Sequence, residues 1–341
     1  MTAPVAESIV SQARPVRWGF AGPGRMAATF VEDFEHVEDA VAHAVGSRDA
    51  RRAADFAARH GLERSYGSYR ELCADPDVDV VYIATPHPQH KAIALEAIAN
   101  GKAVLVEKAF AATLDGARQV VDAARDKRVF AMEAMWTRFQ PSIAKLHQII
   151  DEGQIGRLIG IQGDFTAHRE FDPADRLFNK ELGGGALLDL GVYCLAFVQD
   201  LLGAPSDLVA RGTLLPNGVD AQTSLLLSYT DGAQATLSCS LRGAGPTRMV
   251  VLGECGWVEV ESYFYNSSRL VVHRHGAVPQ VQALPPVGRG YAHEIQEVDN
   301  CLRAGRTESE RMSLDDTLVV QGQLEEALNQ LGIQYHDDDL G

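Results

Sequence analysis

Short apolar runs alternate with helical segments through the first 135 residues, and that alternation leaves few folds open. Residues 16–22 (VRWGFAG), 40–45 (AVAHAV), 78–85 (VDVVYIAT), 103–108 (AVLVEK) and 129–133 (VFAME) read as strands. The third run is almost wholly apolar, as a strand buried on both faces requires. Between them, residues 25–34 form one predicted helix. A second, rich in alanine, is capped by Ser47 and stopped by Gly61. A third stops at Gly101, and Thr113 caps a fourth. Strands alternating with helices predict an α/β, doubly wound parallel sheet of the Rossmann type.

The second half changes character. Strand-like runs at 158–168, 209–215, 224–229, 233–240, 247–252, 257–261 and 270–274 follow one another with little helix between them, and Asp231-Gly232 marks a hairpin. This predicts a C-terminal α+β domain with an open, mostly antiparallel sheet, preceded by a helix over 183–202. Two helices close the chain. Ser313 with Asp316 resembles a capping box, and Val320, Leu324, Ala327, Leu328 and Leu331 mark one apolar face. A chain of 341 residues exceeds one ordinary core. The expected division is a dinucleotide-binding domain at 15–138, a substrate and oligomerisation domain at 139–312, and a helix at 313–335 packing back on the first domain.

Composition narrows the partners. A net charge of −15 argues against nucleic acid and anionic membranes. No apolar run approaches the length of about 20 residues that spans a bilayer, and the opening segment lacks the pattern of a secretory signal. The five cysteines, Cys73, Cys194, Cys239, Cys255 and Cys301, are scattered without a Cys-x-x-Cys. This suits reduced thiols in a cytoplasm and no metal site.

The first strand runs into "FAGPGRMA", which supplies Gly22-x-Gly24-x-x-Ala27 at a strand-to-helix turn. There the first glycine makes the turn, the second admits a pyrophosphate, and the small third residue lets helix and strand pack closely. A site for NAD usually ends its second strand with an acid for the ribose. Here that strand ends "VGSRDARR", with Ser47 and Arg48 in its place. Arg48, with Arg51 or Arg52, suits the 2′-phosphate of NADP, so NADP is expected over NAD. Asp49 remains the alternative acid if the register differs by two.

"VEKAF" puts Glu107 and Lys108 at the carboxyl end of a parallel strand, where open α/β sheets bind ligands. "GGGALLDLGVY" puts Asp189 and Tyr193 one helical turn apart after three glycines, which let backbone approach a ligand. Hydride removal from a carbinol carbon needs a base for the hydroxyl proton. A phenol is a poor base at neutral pH, but a lysine ammonium nearby favours the phenolate. Lysine plus tyrosine is therefore a workable acid–base unit, with Asp189 orienting the substrate hydroxyl or holding Lys108.

The set "AGPGRMA", "ATPHPQH…ALEAIANGKAVLVEKAF" and "GGGALLDLGVY" resembles the glucose–fructose oxidoreductase/inositol dehydrogenase (Gfo/Idh/MocA) family over roughly residues 15–335. "MEAMWTRFQP" and the triple glycine are similar to its branch of dimeric dihydrodiol dehydrogenases and NADP-dependent D-xylose 1-dehydrogenases. The resemblance implies catalytic roles for Lys108, Asp189 and Tyr193, and a place beside the nicotinamide for His90. Ala109 stands where the family has proline. It also implies a homodimer through the C-terminal sheet. The cofactor-binding set is then Gly22, Pro23, Gly24, Arg25, Met26, Ser47, Arg48, Arg52, Thr85, Pro86, His87, His90, Glu107 and Lys108. Trp136, Arg138, Phe165 and Arg176 join Asp189 and Tyr193 as substrate-binding candidates, and His168 and Arg169 lie nearby in sequence. The expected function is an NADP-dependent oxidoreductase of a sugar, such as D-xylose, or a cyclic diol. An NAD-dependent glycoside hydrolase and a non-catalytic NADP sensor are the alternatives on this scaffold.

Overall fold

The computed structural model describes residues 14–340; the segment expected to lack a secretory signal lies largely outside them. The first unit is a doubly wound sheet. Its elements are β1 (Val16–Ala21), α1 (Arg25–Glu32), β2 (Ala40–Gly46), α2 (Ala50–His60), β3 (Arg64–Tyr66), α3 (Tyr69–Ala74), β4 (Val80–Ile83), α4 (His90–Ala99), β5 (Ala103–Glu107), α5 (Leu114–Lys127) and β6 (Ala131–Ala134). The strands are parallel in the order β3-β2-β1-β4-β5-β6, so the winding reverses between β1 and β4. Burial on both faces explains the unbroken apolar runs. One face packs Leu72, Ile93, Ala97, Val120 and Val121. The other is aromatic, with Phe30 stacked on Tyr82 at 3.9 Å and Trp18 edge-on to Phe34.

The second unit contains α6 (Pro141–Asp151), β7 (Leu158–Thr166), α7 (Val192–Leu202), β8 (Asp207–Leu214), β9 (Asp220–Ser228), β10 (Gln234–Ser240), β11 (Met249–Gly253), β12 (Gly256–Val260), β13 (Arg269–Arg274) and β14 (Gln280–Ala283). They make one eight-stranded sheet, β14-β13-β12-β11-β7-β10-β9-β8, antiparallel except where β7 meets β10. The expected fold class, parallel sheet plus open mostly antiparallel sheet, is what the chain adopts.

The sequence missed α3, α6 and the short β3 and β14. It also expected a different partition. Val287–Leu318 and the chain from His336 belong with the first unit, and Val319–Tyr335 with the second. So α8 (Ala292–Arg303) packs on the parallel sheet, whereas most of α9 (Leu314–Leu331) does not. The reason for α8 is a carboxylate. Asp33, buried after α1, accepts the backbone N–H groups of Arg289, Tyr291 and Ala292 at 2.8, 2.7 and 3.1 Å, satisfying the start of α8. Ser313 caps α9 through the N–H of Asp316, as its capping-box reading implies.

The expectation of no membrane-length apolar run needs correction. Lys180–Leu202 is long and apolar enough, but 72% of its most apolar window is buried, so its apolarity serves a core. All five cysteines are free, and only Cys255 is exposed.

Candidate active site

The expected residues fall in both units. In the first, Gly22 has φ +99°, and a Cβ there would press on Thr85 and the Ala84 carbonyl at 3.0 and 3.2 Å. Pro23 follows. Gly24 is the N-cap of α1 and brings no side-chain acceptor, so the first amides of the helix, at Arg25 and Met26, keep their capacity for an anion. A dinucleotide pyrophosphate fits this cradle on backbone grounds alone.

Ser47 is the first residue beyond β2, buried, and its Oγ accepts the Asp49 N–H at 3.1 Å. The cap of α2 is Asp49, not Ser47. Asp49 accepts the N–H groups of Arg51 and Arg52 at 2.9 and 3.3 Å, so the nearest acid is committed to its own helix. Arg48 shares a cavity wall with Tyr69, a buried residue of α3. Burial raises the Tyr69 hydroxyl above its ordinary value, and the Arg48 and Arg52 charges oppose that rise.

Thr85 and Pro86 follow β4. His90 opens α4 and is fully buried, with Nδ1 3.0 Å from the Ala109 carbonyl and Nε2 2.8 Å from the Thr85 carbonyl. His87 Nε2 lies 3.2 Å from the Lys108 carbonyl. The two histidines tie the Thr85 loop to the Lys108–Ala109 peptide, which is cis. His90 thus directs both ring nitrogens at backbone. Glu107 is buried and accepts the Tyr82 hydroxyl, and burial followed by the Glu107 charge holds that phenol well above its ordinary value. Lys108 is half-buried at the strand end.

In the second unit Gly184 and Gly185 lie where a side chain would collide with the chain itself. A Cβ on Gly184 would stand 2.6 Å from the Arg176 carbonyl, and Gly185, at φ +128°, faces Asp220. Asp220 accepts the Leu187 N–H at 2.8 Å and the Thr223 hydroxyl at 2.9 Å. Full burial pushes its carboxyl up to about 6. The helix that follows starts with a π turn, Leu187–Gly191, before α7. Asp189 therefore sits on a widened turn rather than the plain α-helix expected, a distortion common at functional sites.

Asp189 Oδ1 accepts from Arg176 at 2.8 Å, so two expected site residues meet. Tyr193 is ringed by aromatics. The Trp136 indole N–H donates to its hydroxyl at 3.2 Å, and the Phe165 and Tyr265 rings lie 5.5 and 5.6 Å away. Phe165 and Tyr265 stack at 4.8 Å. Tyr265, and Tyr263 beside it at φ +60°, were missed by the sequence reading because they sit in a short turn with no period or motif. Arg138, expected at the substrate, is instead buried. It donates to the Gln199 side chain and to the Ala196 carbonyl at 3.4 Å, and lies 3.8 Å from Asp200. A buried guanidinium needs such partners, and this one braces α7. His168 is exposed and meets the Arg242 carbonyl at 3.2 Å. Arg169 is felt by Tyr265, whose pKa is raised chiefly by burial and lowered by that charge.

A glycine-turn Rossmann unit with a strand-end lysine, and a sheet unit holding a tyrosine among aromatic rings, define a nicotinamide-dependent oxidoreductase. A family model described as "Oxidoreductase family, NAD-binding Rossmann fold" matches residues 16–135, and "GFO/IDH/MocA C-terminal domain" matches 143–259. The chain belongs to the Gfo/Idh/MocA oxidoreductase family. It is 36% identical over 329 residues to trans-1,2-dihydrobenzene-1,2-diol dehydrogenase of Xenopus laevis, covering 94% of this chain and 99% of that one. The Homo sapiens protein of the same name is 34% identical over 337 residues, covering 95% and 99%. Levoglucosan dehydrogenase in complex with NADH and levoglucosan superposes with a TM-score of 0.86 at 22% identity over 94% of this chain and 98% of its own. A 3-ketoreductase from Actinomadura kijaniata, in complex with NADP and TDP-benzene, gives 0.82 at 25% over 95% and 99%. The protein is a dehydrogenase or reductase of CH–OH groups that uses NAD or NADP.

Proposed function

We propose that the protein is an NADP-dependent dehydrogenase of trans-dihydrodiols and of aldoses such as D-xylose, with Tyr193 as its proton-transfer group. The carrying observation is the setting of Tyr193: a phenol that accepts the Trp136 N–H, beside the stacked Phe165 and Tyr265 rings. Flat apolar walls beside one hydroxyl suit a cyclic diol. The relatives at 33–36% identity, each covering 94–95% of this chain, carry the diol dehydrogenase name.

NADP, when bound, is the hydride acceptor. Tyr193, as phenolate, takes the substrate hydroxyl proton while that carbon is oxidised, and returns it to solvent. Lys108 is assigned to favour the phenolate by its positive charge. Asp189, held by Arg176, orients the substrate hydroxyl. For NADP over NAD the support is that Asp49 is committed to capping α2, which leaves Arg48 just beyond the end of β2. A second copy of the chain is the assigned cover for the sheet face bearing the exposed Val209 and Leu226.

The test is a panel of pentoses, hexoses and trans-dihydrodiols with each dinucleotide, followed by absorbance of the reduced cofactor. Turnover of a trans-dihydrodiol or an aldose with NADP is expected. Turnover with neither class would remove the substrate assignment.

A further inference from the structure

The chain ends on the first unit, and several contacts hold it there. The Asp337 carboxylate accepts the Ala112 N–H at 2.9 Å and the Thr113 hydroxyl. It lies against Gly116 in the first turn of α5, where an added Cβ would overlap it. The Asp338 N–H donates to the Pro88 carbonyl at 2.7 Å. Arg70 reaches the Leu340 carbonyl at 3.4 Å, and the Leu340 side chain packs against the core.

This tail closes one side of a cavity of about 230 Å³. Arg48, Tyr69, Gln89 and Ile93 line the other side. The walls combine chemistries that suit a purine nucleoside. Tyr69, Ala92 and Ile93 offer apolar surface, and Arg48 offers a positive charge. Gln89 Oε1 is a buried acceptor with no hydrogen-bond partner, matched to an exocyclic amine. The cavity also lies beyond the carboxyl ends of β2 and β4, on either side of β1 in the sheet, where doubly wound folds hold the adenosine half of a dinucleotide.

We propose that the C-terminal tail, from Asp337 to Leu340, is a wall of the adenosine-end site and retards cofactor release. This assignment builds on the reading of Arg48 above, yet it applies equally to NAD, so the two can fail separately.

Gly116→Ala tests it, because it displaces the Asp337 anchor while keeping every tail residue. Asp337→Asn and a chain ending at Tyr335 are companion variants. Binding of NADP, NAD, ADP and nicotinamide mononucleotide is followed by tryptophan fluorescence, with circular dichroism and melting to establish folding, and dissociation by stopped flow. Loss of one or two contacts should weaken NAD, NADP and ADP alike by roughly 5- to 20-fold, mainly through faster dissociation. Nicotinamide mononucleotide binding should not change. Folded variants with unchanged ADP affinity, or an equal loss for nicotinamide mononucleotide, would overturn the proposal. If Arg48→Ala leaves NADP binding intact while the tail variants lose ADP, the 2′-phosphate reading fails and the tail assignment stands.

Discussion

The Trp136 indole donates its N–H to the hydroxyl of Tyr193, so the phenol oxygen is an acceptor before any substrate arrives. A donor to that oxygen favours the phenolate and lowers the pKa at which it forms. Trp136→Phe removes the donor and keeps an aromatic wall. The acidic limb of kcat/KM against pH should move to higher pH, with cofactor affinity unchanged. An unmoved limb would mean that Tyr193 does not set it.

Tyr193→Phe deletes only the hydroxyl. Turnover should fall by roughly 10²–10⁴, the scale for losing a general acid–base, while folding and dinucleotide binding persist. Lys108→Ala should fall comparably. The double variant should be no worse than the poorer single one, the outcome expected of the acid–base unit proposed above. Fully additive losses in single-turnover kinetics would separate their roles.

Arg48→Ala should weaken NADP by about 1.5–3 kcal/mol, the scale of a hydrogen bond to a charged group, and leave NAD nearly unchanged. Tyr69→Phe should shift the same ratio less, since it changes a neighbour of the guanidinium without removing it. The ratio of the two dissociation constants is the readout, and a wild type that prefers NAD would refute the assignment.

Asp299 is buried in α8, bonded to the Trp18 indole at 3.2 Å, with Oδ2 lacking a partner. Burial pushes its carboxyl from 3.8 up to about 8, against the pull of Trp18 and Arg303. The folded protein therefore holds a proton that the unfolded chain has released. This group's contribution to stability is greatest at low pH and declines as pH rises through the window from about 4 to about 8. Asp299→Asn should raise the melting temperature at pH 9 more than at pH 5. Equal shifts at both would show that Asp299 does not titrate in that window.

The sheet face with Val209 and Leu226 should pair with its copy. Light scattering should give a dimer at micromolar concentration, and Leu226→Glu should shift it toward monomer without loss of melting temperature. A monomeric wild type would remove the assignment.

What the sequence revealed followed physical periodicity. The Gly22 turn, the buried strands and the Lys108 strand end are local patterns, and each appears where its pattern placed it. Tyr265 could not be found that way, because Phe165 and Tyr193 lie far along the chain, nor could Asp220, whose Leu187 partner is 33 residues away. Arg138 shows the converse. An arginine near a strand end looks like a ligand contact until Gln199 and Asp200 are seen to receive it. Ser47 misled for a simpler reason: two cap residues stood two positions apart, and the aspartate took the helix.

The long reach between Trp18 and Asp299 has a consequence for synthesis. The partners are 281 residues apart, and at translation rates of about 5–20 residues per second the second follows the first by roughly 15–60 s. Throughout that interval the aromatic face of the nascent sheet lacks α8, and Asp33 lacks the three N–H groups it gathers. The strands of the parallel sheet are thus made well before the helix that covers their aromatic face.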